Sequence, residues 1–233
     1  MKKVIVNFGD SIMKDNAWRS IAPDDYDAHM SHPKIEQTQM LNRICKEQFE
    51  LIPHERRSTS CVAILGITNG NGLEHIIPCE IAKVIGIDIN EAFLNECKMR
   101  YPDLKSRLNL FLLDLTTDTI ESIKIFSECD LIIANLLIKH IHLDNFLKIV
   151  TGLPKHGQIV SCVIQVNPDG EHISQGSGLE HVFEAISSQR GEENESMIIM
   201  AMNKNGFILT NKVIYDLPNG KQFIRLDFTA KDI

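Results

Sequence analysis

Residues 64–72 read ILGITNGNG. They continue an apolar run, Cys61-Val62-Ala63-Ile64-Leu65, that drives into a loop carrying Gly66, Gly70 and Gly72. An apolar run stopping at glycines is the pattern of a buried strand feeding a loop where backbone can approach a ligand closely. The spacing differs from the dinucleotide fingerprint G-x-G-x-x-G, and glycines alone also fit an ordinary strand-to-helix turn. The flanking sequence has to decide between these readings.

Downstream, short apolar runs alternate with longer segments of helical period. The strand candidates are residues 62–65, 84–88, 108–113, 131–135 and 159–165. Each is nearly continuous in apolar residues, as strands covered on both faces are. Helices are expected between them near 72–81, 90–101, 117–127 and 141–152, with Asn90 as a natural N-cap and Pro102 as a stop. This alternation implies a parallel, doubly wound sheet. Two further helical patterns follow. Leu179, Val182, Phe183 and Ile186 share one face, and 192–205 ends at Gly206. Residues 207–215 and 222–228 then flank Asn219-Gly220, a hairpin signal. The fold class is therefore α/β, a doubly wound, mostly parallel sheet closed by a C-terminal antiparallel hairpin. Upstream, Ile35, Leu41, Ile44, Cys45, Phe49 and Ile52 mark a helix ended by Pro53, and residues 1–33 read as irregular. The division expected is an N-terminal helical extension over 1–56 and a ligand-binding domain over 57–233.

Composition narrows the partners. The 233-residue chain carries a formal net charge of -7, and its pI is about 5.7. Binders of duplex nucleic acid present a basic face, so no nucleic-acid partner is expected. No apolar stretch is long enough to span a bilayer, and the N-terminal residues lack the apolar core and cleavage site of a secretory leader. Six cysteines lie scattered, without a C-x-x-C pair, several inside apolar runs. That is the usage of a reducing cytoplasm. The nine histidines form no H-x-x-x-H pair, so no metal site is expected.

In a doubly wound sheet the ligand sits at the carboxyl ends of the strands. Four features meet there: the loop 66–72, Asp88 in VIGIDIN, Asp114 in LFLLDL, and Asn135 in CDLIIANLL. An acid following the glycine loop by about 20 residues can accept both hydroxyls of a ribose. Asp and Asn also end strands simply because they favour turns.

Together these motifs resemble the class I S-adenosylmethionine-dependent methyltransferases, over a span from about residue 18 to the end. ILGITNGNG is similar to the family's glycine-rich first motif, and VIGIDIN to the second, with Asp88 as the ribose acid. LLDL resembles the adenine-contacting motif, and CDLIIANLLIKHI the motif beside the methyl group. WRSIAPDDYDAHMSH, residues 18–32, is similar to the segment that closes over the cofactor in members acting on small molecules. NGNGLEHI, YDAHM and YDLPNGK resemble a group of bacterial type-11 methyltransferases. The resemblance implies a Rossmann-like fold of seven strands and S-adenosyl-L-methionine as cofactor. It implies cofactor contacts from Gly66, Thr68, Gly70, Gly72, Asp88, Ile89, Asp114, Leu115 and Asn135, and a small-molecule methyl acceptor. Two departures stand out. Ile64 occupies the usual place of an acid that holds the methionine amino group, and Thr68 replaces a glycine.

Methyl transfer from a sulfonium is carried by the cofactor, so the protein mainly positions its reactants. Candidate bases or substrate holders are Tyr26, His29 and His140, since a histidine near neutral pKa can take a proton from a hydroxyl or amine. Each can equally pack or bond locally. Trp18 with Tyr26 forms a candidate aromatic wall, and the loop 167–178 a candidate substrate gate. Two other readings stay open: a cofactor-binding protein of this fold that transfers nothing, and an NAD(P)-dependent oxidoreductase.

Overall fold

The structure is a computed structural model and describes residues 16–118, 124–152, 156–168, 170–187 and 190–231. Strand β1 is Cys61–Leu65, β2 Lys83–Asp88, β3 Leu108–Leu112, β4 Leu131–Asn135 and β5 Ile159–Val166. The hairpin strands are β6 Phe207–Asp216 and β7 Gln222–Ala230. All seven join one sheet in the order β3-β2-β1-β4-β5-β7-β6. The first five are parallel, and β7 runs antiparallel to both β5 and β6. The chain moves outward from β1 to β3, then returns to β4 on the other side of β1. That reversal leaves a crevice beyond the carboxyl ends of β1, β2 and β4.

The expected strands thus all form, within a residue or two of their ends. Every residue of β1 is buried, as a continuous apolar run requires of a strand covered on both faces. Helix α1 is Pro23–Met30, α2 Gln37–Phe49, α3 Glu91–Arg100, α4 Leu143–Thr151 and α5 Glu195–Lys204. One sheet face packs Phe146, Ile149 and Val150 of α4 with Ile198 and Met202 of α5. The other takes Cys45 and Phe49 of α2 with Leu94 and Cys97 of α3. Capping follows the sequence: the Asn90 side chain accepts from the Ala92 N–H at 2.9 Å, and Asn194 from the Met197 N–H at 3.1 Å.

Four helical expectations need correction. The segment 72–81 forms only a 3₁₀ turn at Leu73–His75. Gly70 and Gly72 are left-handed just before it, and Pro78 removes the next donor. The pattern at 141–152 splits at His142, whose φ of 65° separates the turn Ile138–Ile141 from α4. Residues 17–30 are not irregular. They hold the 3₁₀ turn Ala17–Ser20 and α1, which opens with Pro23 at its first position and Asp24 and Asp25 in its first turn. The last helix starts at Glu195 rather than 192 because Asn194 caps it. The helix expected near 117–127 falls mostly on residues 119–123, outside the described residues; residues 124–126 are helical.

A buried polar chain fixes α2 against the sheet. Gln48 Nε2 donates to Asn135 Oδ1 at 2.9 Å and to Ser161 Oγ at 2.8 Å. Ser161 Oγ donates to Asp227 Oδ1 at 2.6 Å, and Arg225 joins Asp227 Oδ2 at 3.2 Å and Glu47 Oε2 at 2.7 Å. Such a chain is stabilising only while every member keeps its partner.

Candidate active site

A cavity of about 210 Å³ lies over the carboxyl ends of the strands. Of the residues singled out from the sequence, Tyr26, His29, Gly66, Thr68, Asp88, Ile89, Asp114, Leu115, Asn135 and His140 all line it. Gly70 and Gly72 do not. A Cβ on Gly70 would lie 2.7 Å from Cys97 Sγ and 2.9 Å from the Tyr101 ring, and one on Gly72 would lie 2.7 Å from Cys45 Sγ. Both are left-handed, with φ of 81° and 91°. These two glycines are needed for packing of the loop on α3 and α2, and only Gly66 of the three faces the cavity.

The loop is held down from below as well. Ile67 donates its N–H to Ile87 O at 2.9 Å, and its side chain lies where a Cβ on Gly86 would have to be. Thr68 takes φ 48°, the conformation a glycine would adopt without strain. The loop therefore keeps the glycine geometry at a position that lacks glycine. The result is that the Thr68 N–H points at Asp88 Oδ2, 2.9 Å away.

Asp88 is buried and accepts a second backbone bond from Asn90 N–H on Oδ1, at 2.9 Å. Burial raises its pKa to about 6, although the backbone N–H groups of Asn90, Thr68 and Ile89 pull the other way. Its carboxylate is charged at neutral pH yet short of solvent. Asp114, two residues beyond β3, differs: it accepts from Thr116 N–H at 2.9 Å and Thr116 Oγ1 at 2.6 Å, and pairs with Arg19 at 3.4 Å. Asn135 has both amide atoms engaged by Gln48.

The segment over the cavity is fastened at several points. Asn90 Nδ2 donates to the carbonyls of Trp18 and Ile21 at 2.8 and 2.9 Å. Asn69 Nδ2 donates to Asp27 Oδ1 at 2.9 Å, and Asp27 also pairs with Arg100. Trp18, Tyr26 and Phe93 form edge-on ring contacts, and Trp18 meets His140 at 5.0 Å between centroids. The other wall is the end of β5 and the loop after it, where Gln37 Nε2 donates to Gln165 Oε1 of the strand at 2.7 Å and to Ser174 Oγ of the loop at 3.0 Å.

The three candidate bases fare differently from expectation. Burial, followed by the charges of Arg190 and Lys139, pushes His140 down to about 3. Its ring is neutral at physiological pH and a weak base, so the near-neutral proton acceptor expected from sequence is not what the fold builds. His29 is buried and also lowered by burial; its Nδ1 lies 2.6 Å from Ser177 Oγ and its ring stacks on Phe183. Those contacts tie α1 to the loop after β5. Burial raises the Tyr26 phenol, which stays protonated, with the Thr68 side chain beside it.

Sequence reasoning missed Asn69, Asn71, Gln37 and Arg190, all of which line the cavity. Three of its lining residues each hold a buried side-chain atom without a hydrogen-bond partner: Asn69 Oδ1, Trp18 Nε1 and Arg190 Nε. Buried polar groups are normally satisfied, so three orphans on residues of one cavity wall mark it as the place for a polar ligand. Among the described residues, no group of three or more His, Cys, Asp and Glu could hold a metal ion, and no helix is long and apolar enough to cross a membrane. All six cysteines are free and buried.

No protein-family model matches the chain, and no curated protein matches it. Solved structures do match its fold. Magnesium protoporphyrin IX methyltransferase from Synechocystis PCC 6803, with bound S-adenosylmethionine, aligns with a TM-score of 0.62 at 12% identity, covering 92% of this chain and 93% of that one. A geranyl diphosphate methyltransferase in complex with its diphosphate and sinefungin aligns at 0.59 and 10% identity, covering 84% and 78%. A Listeria monocytogenes protein, itself only provisionally assigned as an S-adenosylmethionine-dependent methyltransferase, aligns at 0.59 and 14% identity, covering 82% and 100%. The chain has the Rossmann-like, seven-stranded fold of these methyltransferases.

Proposed function

We propose that this protein is an S-adenosylmethionine-dependent methyltransferase acting on a small molecule. The observation that carries the reading is Asp88. It is a buried, ionisable carboxylate at the end of β2, held against the loop after β1 and lining the cavity over the carboxyl ends of the strands. A ribose diol offers two O–H donors to such an acceptor. Ile89 and Leu115 give apolar surface for an adenine, with Asp114 beside it, and Gly66, Thr68 and Asn135 complete the cofactor side.

The residues present fit that cofactor. Ile64 provides no acceptor for an ammonium group, but the unpartnered Asn69 Oδ1 supplies one at the same loop. S-Adenosylmethionine would bring an electrophilic methyl carbon on sulfur; the acceptor gains the methyl and sheds a proton, leaving the thioether S-adenosylhomocysteine. Against that chemistry the chain's own work is orientation and exclusion of water. Trp18, Tyr26 and His29 roof the cavity, and the loop after β5 borders it. Neutral His140 can hold a nucleophile by hydrogen bonding, and Tyr26 can donate.

The net charge of -7 suits an acceptor other than nucleic acid, and six free thiols suit a reducing, cytoplasmic setting. The division into a lid over 1–56 and a catalytic domain over 57–233 belongs to the same proposal. The weak basicity of His140 favours, as second reading, a protein that binds the cofactor and transfers nothing. Calorimetry with S-adenosylhomocysteine and NAD, followed by a screen for S-adenosylhomocysteine release over phenols, amines, thiols and carboxylic acids, separates the readings. Binding of S-adenosylhomocysteine alone with release is expected. Binding without release from any acceptor supports the second reading, and preferential NAD binding refutes both.

A further inference from the structure

Among the described residues, one end of the cavity presents a single cationic side chain, Arg190, with Lys139, Glu192 and Glu193 in electrostatic range of it. Arg190 lines the cavity and is half-buried, at the segment that follows the turn Glu184–Ser187. Its Nε is buried without a partner, and its guanidinium makes no hydrogen bond or ion pair among the described residues. Burial lowers its pKa, with Glu192 and Glu193 acting only from beyond ion-pair distance. Glu193 engages one oxygen elsewhere, Oε1 accepting from Leu143 N–H at 3.1 Å and lying 3.5 Å from His142, while its Oε2 is buried without a hydrogen-bond partner. Lys139 adds a second positive charge in range of Arg190 and His140, itself in range of Glu192 and Glu193.

Trp18 lines the same cavity; its indole N–H is buried without a hydrogen-bond partner, and its ring is edge-on to His140. Phe183 and Ile186 pack with Ile21 against Trp18, which brings the Arg190 segment next to the 3₁₀ turn Ala17–Ser20. Ile141, Ile173 and Phe183 add apolar surface to the lining of the same cavity. A half-buried guanidinium with no hydrogen-bonded partner among the described residues leaves its fork of donors open, and a planar anion is the group that fork matches best.

We propose that the methyl acceptor is an acidic small molecule with an apolar body, whose carboxylate seats on Arg190 with help from the Trp18 indole N–H. This deepens the methyltransferase reading and rests on it for the word acceptor. A carboxylate held by a guanidinium has its lone pairs engaged, so it serves as the handle, and the methylated atom is a different nucleophile on the same molecule.

Trp18 is the only tryptophan of the chain, so its emission reports on this cavity directly. The test titrates the full chain with benzoate, phenylacetate and octanoate, and with the matching neutral amides. At least one acid is expected to change the emission saturably and to bind at least tenfold more tightly than its amide. That preference is expected to disappear in Arg190→Gln and to survive in part in Arg190→Lys. Acids and amides binding alike in the native protein, which needs no variant, overturns the inference, as does a preference that persists in Arg190→Gln. Titrations with S-adenosylhomocysteine run beside these. If Arg190→Gln weakens S-adenosylhomocysteine and leaves the acids unchanged, the guanidinium serves the cofactor's own carboxylate and the inference fails. If the native protein binds no S-adenosylhomocysteine but keeps the acid preference, the methyltransferase reading fails while the anion site stands.

Discussion

Asp88 should make both folding and ligand binding depend on pH in a direction opposite to most surface carboxylates. Its pKa is raised from 3.8 to about 6 by burial, so ionising it in the folded protein costs about 3 kcal/mol relative to the unfolded chain. A raised folded-state pKa means that the contribution is fully present below pH 3.8, where both states are protonated. It is lost as pH rises through 6. The perturbation is Asp88→Asn, which approximates the protonated acid in shape and charge. Chemical unfolding of the two proteins at intervals from pH 4.5 to 8 is the assay. The stability of Asp88→Asn relative to native protein should rise by about 2 kcal/mol across that interval, the last part of a total of about 3 kcal/mol, flattening above pH 7. Parallel curves would refute the reasoning, because they would mean that the carboxylate ionises as freely in the fold as in the unfolded chain. Ligand binding should go the other way. Since the ionised form is the acceptor for a ribose diol, S-adenosylhomocysteine affinity should fall below pH 6, approaching tenfold per unit, with proton release on binding near pH 6.

Other substitutions probe the supports of the site. Gly72→Ala places a methyl against Cys45 at a φ of 91°, so thermal unfolding should show a loss of about 1–3 kcal/mol. Gly86→Ala should displace Ile67 and with it the loop, lowering ligand affinity as well as the melting temperature, both read in one calorimetric series. Arg225→Met strands Asp227 as a buried charge, and denaturant unfolding should register about 3–5 kcal/mol. His140→Asn should leave the pH dependence of turnover between 6 and 8 unchanged, since the native ring titrates near 3; a rate profile that loses a limb in the variant would contradict that assignment.

The sheet was readable because its central strands are unambiguous. Val62–Leu65 and Leu131–Ala134 are apolar throughout, and covering them on both faces is the only way to bury them. The hairpin was readable from Asn219-Gly220. Positions at strand ends followed from topology, which is why Asp88, Asp114 and Asn135 were found without any view of their side chains. What stayed hidden depends on contacts between distant segments. Gly70 and Gly72 suggest ligand approach in the sequence, yet they answer to Cys97, Tyr101 and Cys45, which come from other helices. The loss of basicity at His140 comes from burial under Trp18 and from Arg190, fifty positions away in the chain. Arg190 itself lies between two helical patterns, where nothing periodic marks it as facing a cavity. Helix α1 did carry a signal, Pro23 followed by Asp24 and Asp25, but its weak amphipathic pattern concealed it.

Co-crystallisation with S-adenosylhomocysteine bears most directly on the assignment of this cavity. Both ribose hydroxyls are expected within hydrogen-bond distance of the Asp88 carboxylate, with the adenine between Ile89 and Leu115 and the sulfur facing the space bordered by Trp18 and Arg190. A ligand bound away from Asp88, or a saturated crystal with no ligand in the cavity, would contradict the assignment.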